Sequence, residues 1–414
     1  MRFDFNSRFV KQVSKLASGT ALAQIINIVT LPLLTRLYSP SDFGVFAVFL
    51  ASVAILTSIS TLKYENSILD AGNNELAKKC TQLTAASCVL VLVPLIVVMS
   101  FLYKYNVNIF GLDFIMLLCV GLAIIATNIF TSLYYWCNRT EKYGYMTKGR
   151  IYAAVSAALV SISIGLSPIE SVNGLVIGAL VGMFCNALYL IIKVNFSIAS
   201  LAQTSIKDLI YLSISLKRFP IYLVPSTLLD RVASQVHIFV FSNFFGNSVA
   251  GAMGVYNRVI GLPVSIIGNA IGDVFKREAS ELFRKEKSCR KLFIKTAITL
   301  FIIGLPITIT LFFFAPTIFV FVLGNEWLQA GEIASFLAIN FLFAFVVSPL
   351  AGLLYLKQNQ KYDFAIQVLL ITTLGSGMYF AVLRSSLEIA LYSYALSFIL
   401  KYVVQFFACY RLAK

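Results

Sequence analysis

Charged side chains are scarce in this sequence. Only 12% of its 414 residues are charged, whereas a soluble domain has about 25%. Hydrophobic residues make up 59% of the chain, and the mean hydropathy is +0.86. A soluble protein this apolar could not cover its surface, but lipid serves as the solvent for the outer face of a membrane protein. The composition therefore excludes a soluble globular fold and predicts an integral membrane protein.

Cysteine and histidine are also too few, or too scattered, for several kinds of site. The seven cysteines contain no CxxC pair, and His237 is the only histidine. This pattern argues against a disulfide framework, a zinc site or any other metal or cofactor centre. The net charge of +15 would suggest a nucleic-acid partner in a soluble protein. Here the basic residues fall in short segments between apolar runs, so we expect membrane topology rather than nucleic-acid binding.

Apolar runs long enough to cross a bilayer recur along the whole chain. A transmembrane helix needs about 20 mostly apolar residues. The sequence predicts twelve such spans, at about 14–36, 43–63, 83–103, 113–136, 150–167, 172–193, 219–242, 250–274, 292–315, 331–356, 362–383 and 387–409. The predicted fold class is therefore an all-α membrane protein.

The basic residues set the orientation of these spans. Lysine and arginine concentrate in the N-terminal tail, the even-numbered connections and the C-terminal region. The odd-numbered connections contain only Arg36, Lys104 and Arg384. Because such residues accumulate on the cytoplasmic side, both termini are expected in the cytoplasm. The odd connections are also short, which argues against a periplasmic catalytic domain and against an enzyme such as a membrane glycosyltransferase or polymerase.

Short matching segments indicate that the chain has two related halves. Gly-Val-Phe at 44–46 opens the second span, and Gly-Val-Tyr at 254–256 opens the eighth. We predict an N-terminal six-helix bundle at 1–194, a cytoplasmic linker at 195–217 and a C-terminal six-helix bundle at 218–414. Parallel repeats of this kind are expected to enclose a central cavity and to work by alternating access.

Residues 33–44, LLTRLYSPSDFG, resemble the signature between the first and second helices of bacterial polysaccharide flippases of the O-antigen type. Residues 254–263, GVYNRVIGLP, and 267–272, IGNAIG, resemble the eighth helix of that family. The superfamily also contains multidrug and toxin exporters and the lipid II flippase. Asp273 departs from the family, which more often has an uncharged polar residue there.

The resemblance implies a flippase that moves an undecaprenyl-diphosphate-linked oligosaccharide across the bacterial inner membrane for O-antigen and lipopolysaccharide biosynthesis. Implied partners are the lipid-linked oligosaccharide, membrane lipid, a polysaccharide polymerase, a chain-length regulator and an H⁺ or Na⁺ counter-ion. The alternative is a cation-coupled exporter of drugs or metabolites. Such exporters usually have an acidic residue in the first helix, and residues 19–34 contain none.

Charges within or beside the spans are the candidate cargo contacts. Buried charges in membranes are costly and tend to be functional. Guanidinium groups bind phosphate in a bidentate manner. The candidate substrate-binding residues are Arg258, Arg231, Arg218 and Arg36.

Asp230, Lys63, Glu65 and His237 are the candidate coupling or gating residues. Asp230 could instead pair with Arg258 and simply join two helices. His237 could be a proton relay or a buried structural histidine, and Lys63 and Glu65 could be ordinary interface residues.

Two further features concern bending and anchoring. Pro32 and Pro225 occupy equivalent places in the first and seventh spans, where each permits a hinge or a static kink. Residues 275–293 place apolar side chains at helical spacing between lysines and arginines. This pattern predicts an amphipathic helix at the inner interface, where it either anchors the protein to anionic lipid or takes a direct part in transport.

Overall fold

The computed structural model describes residues 8–104, 113–167, 173–194, 205–358 and 360–414, and these residues form helices and connections without a β-strand. The α-helices are α1 (Arg8–Leu37), α2 (Pro40–Ser60), α3 (Ser67–Asp70), α4 (Asn74–Lys104), α5 (Phe114–Arg139), α6 (Tyr143–Gly165), α7 (Gly174–Val194), α8 (Ile206–Ser215), α9 (Val224–Val240), α10 (Asn247–Pro263), α11 (Asn269–Arg284), α12 (Arg290–Leu323), α13 (Leu328–Phe336), α14 (Ala338–Val347), α15 (Gln360–Leu383) and α16 (Leu387–Leu412).

Every predicted span lies on a helix or on a helix with a local break. Among the described residues, eight helices are long and apolar enough to cross a membrane. A ninth crossing would be the pair Asn325–Phe336 and Ala338–Leu354, which is bent by 57°. The other three predicted spans fall on α1, α6 and α9. The all-α membrane fold predicted from the sequence is therefore confirmed.

The chain divides into two compact units. Unit 1 contains Met1–Tyr38 and Val45–Arg231, and unit 2 contains Ser39–Gly44 and Val232–Lys414. Within the predicted linker 195–217, the described part forms helix α8, whereas 195–204 lies outside the described residues. The limits of the two six-helix domains remain a prediction.

Unit 1 is held together by closely packed helices. Helix α6 packs along both α1 and α7. Glycine permits the α6–α7 contact, because a Cβ atom at Gly182 would lie only 2.7 Å from the carbonyl oxygen of Ala153. At one end of the unit, Leu212 and Leu216 from the region of α8 pack on a buried cluster that includes Ile68 and Trp136. The linker helix is thus part of unit 1.

Unit 2 contains several breaks in its helices. Helix α12 packs on α13 and α14, and α15 packs on α16. π-helical turns at Phe241–Phe245 and Val264–Gly268 follow α9 and α10, and a 3₁₀ segment at Ser348–Gln358 follows α14. Such turns leave the regular hydrogen-bond ladder and often mark functional positions in helices.

The predicted amphipathic helix differs from expectation in its limits and its partner. Helix α11 ends at Arg284, and α12 begins at Arg290, so 275–293 is not one helix. The side chains of Phe275 and Ala279 are buried, and the Phe275 ring lies 6.2 Å from that of Phe293. The apolar face of α11 therefore packs on protein, because α12 and the 3₁₀ segment Ser348–Gln358 cover it.

The first residues of α2 belong to unit 2 and pack closely there. The Phe43 ring meets that of Trp327 edge to face, with centroids 4.9 Å apart. A Cβ atom at Gly44 would collide with the backbone of Asn247. The Phe-Gly pair of the family-like signature therefore has a packing role, Phe43 against Trp327 and Gly44 against the start of α10.

Candidate functional site

Helix α9 presents charged side chains near its middle. Asp230 and Arg231 lie near the middle of α9, which runs from Val224 to Val240, and both are exposed. An exposed charge at this depth is too costly in hydrocarbon, so this face of the helix is expected to meet water. Arg218, also exposed, stands just before the π-helical turn Phe219–Leu223 that leads into α9.

The two candidate hinge prolines have different surroundings. Pro32 lies inside the continuous helix α1. Pro225 is the second residue of α9 and follows the π-helical turn Phe219–Leu223, so the seventh span is interrupted at its start. A π turn and a proline together weaken the backbone ladder. The hinge role of both prolines remains a prediction.

Lys63 and Glu65 meet in the turn after α2. Leu62 and Lys63 adopt left-handed backbone conformations, with φ of 50° and 62°. The Lys63 ammonium lies 3.7 Å from Glu65 Oε1, and Glu65 is buried. Glu65 Oε2 has no hydrogen-bond partner among the described groups. A strained turn that contains a buried, incompletely paired carboxylate fits a gating or coupling element.

Neighbouring groups hold this turn in place. The guanidinium of Arg139 donates hydrogen bonds to the carbonyl oxygens of Ile68 and Leu69, at 3.2 and 3.1 Å. The Tyr64 hydroxyl donates to the carbonyl of Ser213 at 3.4 Å, and burial raises the pKa of Tyr64. The turn that contains Glu65 is therefore linked to α8, and α3, which follows it directly, is linked to the end of α5.

Unit 2 contains a cavity of about 340 Å³ between α10, α14 and α16. The residues around it are neutral, and most of them are aromatic or polar. They are Tyr256, Asn257, Ile260, Gly261, Val264, Ser265, Asn340, Phe341, Ala344, Ser348, Tyr394, Phe398 and Tyr402. This combination of apolar walls and a few polar groups is typical of small-ligand sites.

His237 lies beside this cavity. The histidine is buried, and its ring centroid is 4.9 Å from that of Tyr394. Its Nε2 is 3.5 Å from Nδ2 of Asn257, which lines the cavity. Its Nδ1 is buried without a hydrogen-bond partner among the described groups. The relay role and the structural role of His237 both remain predictions.

The two remaining arginines occupy different settings. Arg258 is half-buried and follows Asn257 on α10, in unit 2. Arg36 is exposed near the end of α1, in unit 1. The structure therefore brings Lys63 to Glu65 and places His237 next to the unit 2 cavity.

Sequence reasoning missed the aromatic residues of the unit 2 cavity. Tyr394, Phe398 and Tyr402 are spaced by four residues along α16, so they share one helix face. That spacing is visible in the sequence, but the chain contains 35 phenylalanines and 20 tyrosines, so the spacing alone does not single out these three residues.

In the described part of the chain, no group of three or more His, Cys, Asp and Glu residues could hold a metal ion.

Comparison with known proteins gives the family. A family model described as "Polysaccharide biosynthesis protein" matches residues 33–332. The chain belongs to this family. The resemblance seen in the motifs at 33–44 and 254–272 is thereby confirmed. A search of curated proteins finds no match to this polysaccharide biosynthesis protein.

Solved structures show the fold of this family member. The lipid II flippase MurJ, in an inward closed conformation, has a TM-score of 0.77 at 13% identity, over 95% of this chain and 87% of that one. An inward-facing multidrug resistance MATE family transporter of the MOP superfamily has a TM-score of 0.63 at 11% identity, over 94% and 95%. A MOP superfamily transporter from Pyrococcus furiosus has a TM-score of 0.58 at 10% identity, over 96% and 94%. The polysaccharide biosynthesis protein thus has the MOP superfamily fold.

Proposed function

We propose that this chain is a flippase that moves an undecaprenyl-diphosphate-linked oligosaccharide from the cytoplasmic to the periplasmic leaflet by alternating access. The observation that carries the proposal is the family match over residues 33–332, because it links a multi-pass membrane chain to polysaccharide biosynthesis. The fold likeness to a lipid II flippase, over 95% of this chain, supports it. In this proposal the protein is a transporter and performs no catalysis.

The basic residues of the spans supply the contacts with cargo. Arg231 and Arg258 bind the diphosphate or an acidic sugar, and Arg218 and Arg36 meet the headgroup near the membrane surfaces. The exposure of Arg231 in the middle of α9 supports this role, since an exposed guanidinium at this depth can reach an anionic group of the cargo.

Coupling and bending complete the proposed cycle. Asp230, His237 and the Lys63–Glu65 pair respond to an H⁺ or Na⁺ counter-ion, and Pro32 and Pro225 act as hinges. The protein lies in the bacterial inner membrane with both termini in the cytoplasm, and it works alongside a polysaccharide polymerase and a chain-length regulator in O-antigen or related biosynthesis.

A reconstituted flipping assay tests the proposal. Proteoliposomes would contain the purified protein and a lipid-linked repeat unit isolated from polymerase-deficient cells. The fraction of saccharide accessible to an impermeant oxidant would then be followed in time. We expect protein-dependent equilibration that becomes faster or one-directional with an H⁺ or Na⁺ gradient. Rates equal to those of protein-free liposomes would contradict the flippase proposal, and rates unaffected by collapse of both gradients would contradict the coupling.

A multidrug or metabolite exporter is the second candidate, and the fold likeness to a MATE family transporter favours it. Expression of this chain in an efflux-deficient strain distinguishes the two functions. The exporter predicts increased drug tolerance, and the flippase predicts restored surface polysaccharide in a flippase-deficient strain without a change in tolerance.

A further inference from the structure

The cavity of unit 2 has a lining that suits a neutral ligand. Its walls come from one face each of α10, α14 and α16, and no acidic or basic side chain is among the lining residues. Its position within three helices places it at membrane depth, because Tyr394 and Tyr402 are about 10 and 22 Å from the start of α16 at 1.5 Å per residue. A cavity at this depth that held only lipid would have little reason to be polar.

One wall of the cavity is a ladder of aromatic rings. The rings of Tyr394 and Phe398 have centroids 4.5 Å apart, and those of Phe398 and Tyr402 are 6.3 Å apart. Successive rings on one helix face form a continuous aromatic surface. The C–H groups on one face of a sugar ring are positively polarised and pack well on the negative face of an aromatic ring.

The remaining walls supply hydrogen-bonding groups in fixed positions. Asn340 donates from Nδ2 to the carbonyl oxygen of Ala395 at 3.0 Å, which orients the amide and leaves its Oδ1 to accept from a ligand. Tyr402 and Ser348 add two hydroxyl groups to the lining. Among the described groups, none accepts a hydrogen bond from the hydroxyl of Tyr394, although the Tyr394 ring itself is buried.

We propose that this cavity binds a neutral sugar ring of the transported oligosaccharide, with α16 as the stacking wall and Asn340 and Tyr394 as hydrogen-bonding groups. The inference rests on the flippase proposed above. A sugar ring has both an apolar C–H face and a rim of hydroxyl groups, and this cavity presents partners for both. The volume of about 340 Å³ lies at the small end of the range for ligand pockets, so it takes part of an oligosaccharide rather than the whole.

Other ligand classes fit the cavity less well. A metal cation needs several converging oxygen ligands with negative charge, and the lining has no carboxylate. A polyprenyl chain would offer no hydrogen-bonding group to Oδ1 of Asn340 or to the hydroxyl of Tyr394, at a cost in free energy. The diphosphate needs cationic groups, and the lining contains none. The Lys401 ammonium lies 5.6 and 5.5 Å from the ring centroids of Phe398 and Tyr402, and Arg258 follows the lining residue Asn257, so both cations stand beside the cavity rather than in its lining.

Binding to the protein in nanodiscs tests the proposal with two probes. The first probe is a lipid-linked repeat unit from polymerase-deficient cells, and the second is undecaprenyl diphosphate without sugar. Phe398→Leu removes an aromatic face but keeps an apolar side chain, and Tyr394→Ala removes both the ring and its hydroxyl. Tyr392→Ala is the matched control, because Tyr392 lies on the same helix and is 55% exposed.

We expect Phe398→Leu and Tyr394→Ala to weaken binding of the lipid-linked repeat unit about tenfold while leaving binding of undecaprenyl diphosphate and the Tyr392→Ala control unchanged. Unchanged binding of the repeat unit, or equal weakening of both probes, would overturn the sugar subsite and leave the flippase in place. A wild-type protein that binds neither probe would overturn the flippase itself. Ethidium binding that is lost in the same two variants would identify a drug pocket instead.

Discussion

Ser39 and Asp42 form a reciprocal cap at the start of α2. The Asp42 carboxylate accepts hydrogen bonds from the backbone N–H of Ser39 at 2.9 Å and from its hydroxyl at 2.7 Å, and the Ser39 Oγ accepts from the backbone N–H of Asp42 at 3.3 Å. Pro40 occupies the first helical position, where its missing N–H costs nothing. The Ser-Pro-Ser-Asp part of the family signature is thus a helix start.

Loss of this cap should destabilise the protein. We expect Asp42→Ala to lower the free energy of unfolding by about 1 kcal/mol, because two N-terminal donors lose their acceptor. Thermal unfolding of the detergent-solubilised protein measures the effect. Ser41→Ala is the control, since Ser41 is exposed in the same helical turn. Equal melting temperatures for the two variants would show that the cap contributes nothing.

The spans could be predicted well from the sequence because each is identified by the hydrophobicity of its own residues. Twenty apolar residues in a row identify a membrane helix whatever surrounds them, so all twelve predicted spans coincide with helices. The breaks were harder to locate. The π-helical turn Val264–Gly268 lies within the predicted eighth span, and its position depends on packing such as the contact of Gly272 with Pro349.

The residues of the candidate site could be predicted only in part from the sequence, for a related reason. Mid-membrane charges such as Arg231 and Asp230 stand out in an apolar sequence, so single residues could be named. The cavity next to His237 depends on three helices that are far apart in the chain. Its aromatic residues also resemble ordinary lipid-facing residues until the fold shows which of them share a cavity. Contact between distant helices cannot be read from one sequence.

Close packing of α6 on α7 should make Gly182 intolerant of a side chain. In Gly182→Ala the new Cβ atom would lie 2.7 Å from the Ala153 carbonyl oxygen, so the helices must separate. We expect a cost of about 1–3 kcal/mol, as for overpacked cores. Gly375→Ala is the matched control, because nothing lies within 4 Å of a Cβ there and alanine favours a helix. A melting temperature for Gly182→Ala at or above that of Gly375→Ala would contradict the packing.

Removal of one partner of the Lys63–Glu65 pair should lower the free energy of unfolding, as it does for buried ion pairs. Lys63→Ala leaves the Glu65 carboxylate, only 5% exposed, without its cation. The expected destabilisation is about 2 kcal/mol, below that of a fully buried pair because the Lys63 side chain is 17% exposed. Adding Glu65→Gln to Lys63→Ala should recover stability, because the unpaired charge is then gone.

The exposed pair Lys79–Asp208 provides the comparison for this experiment. Its side chains are 48% and 53% exposed, so Lys79→Ala should change stability by less than about 1 kcal/mol. Thermal unfolding of these three variants and of the wild-type protein measures the differences in stability. A double variant that is less stable than Lys63→Ala alone would show that Glu65 is stabilised by groups other than Lys63.

Arg231 and Arg258 should be required for transport but not for membrane insertion. We expect Arg231→Ala and Arg258→Ala to reduce surface polysaccharide at least tenfold in a complementation assay, because the diphosphate loses a bidentate partner at membrane depth. Arg258→Lys should restore activity in part, since an ammonium keeps the charge but not the fork of donors. Arg384→Ala is the control, because Arg384 lies in a connection between α15 and α16 and stacks on Phe380 at 5.5 Å. Immunoblots of membrane fractions would confirm equal protein levels. Full polysaccharide in both alanine variants would show that these guanidinium groups do not bind the cargo.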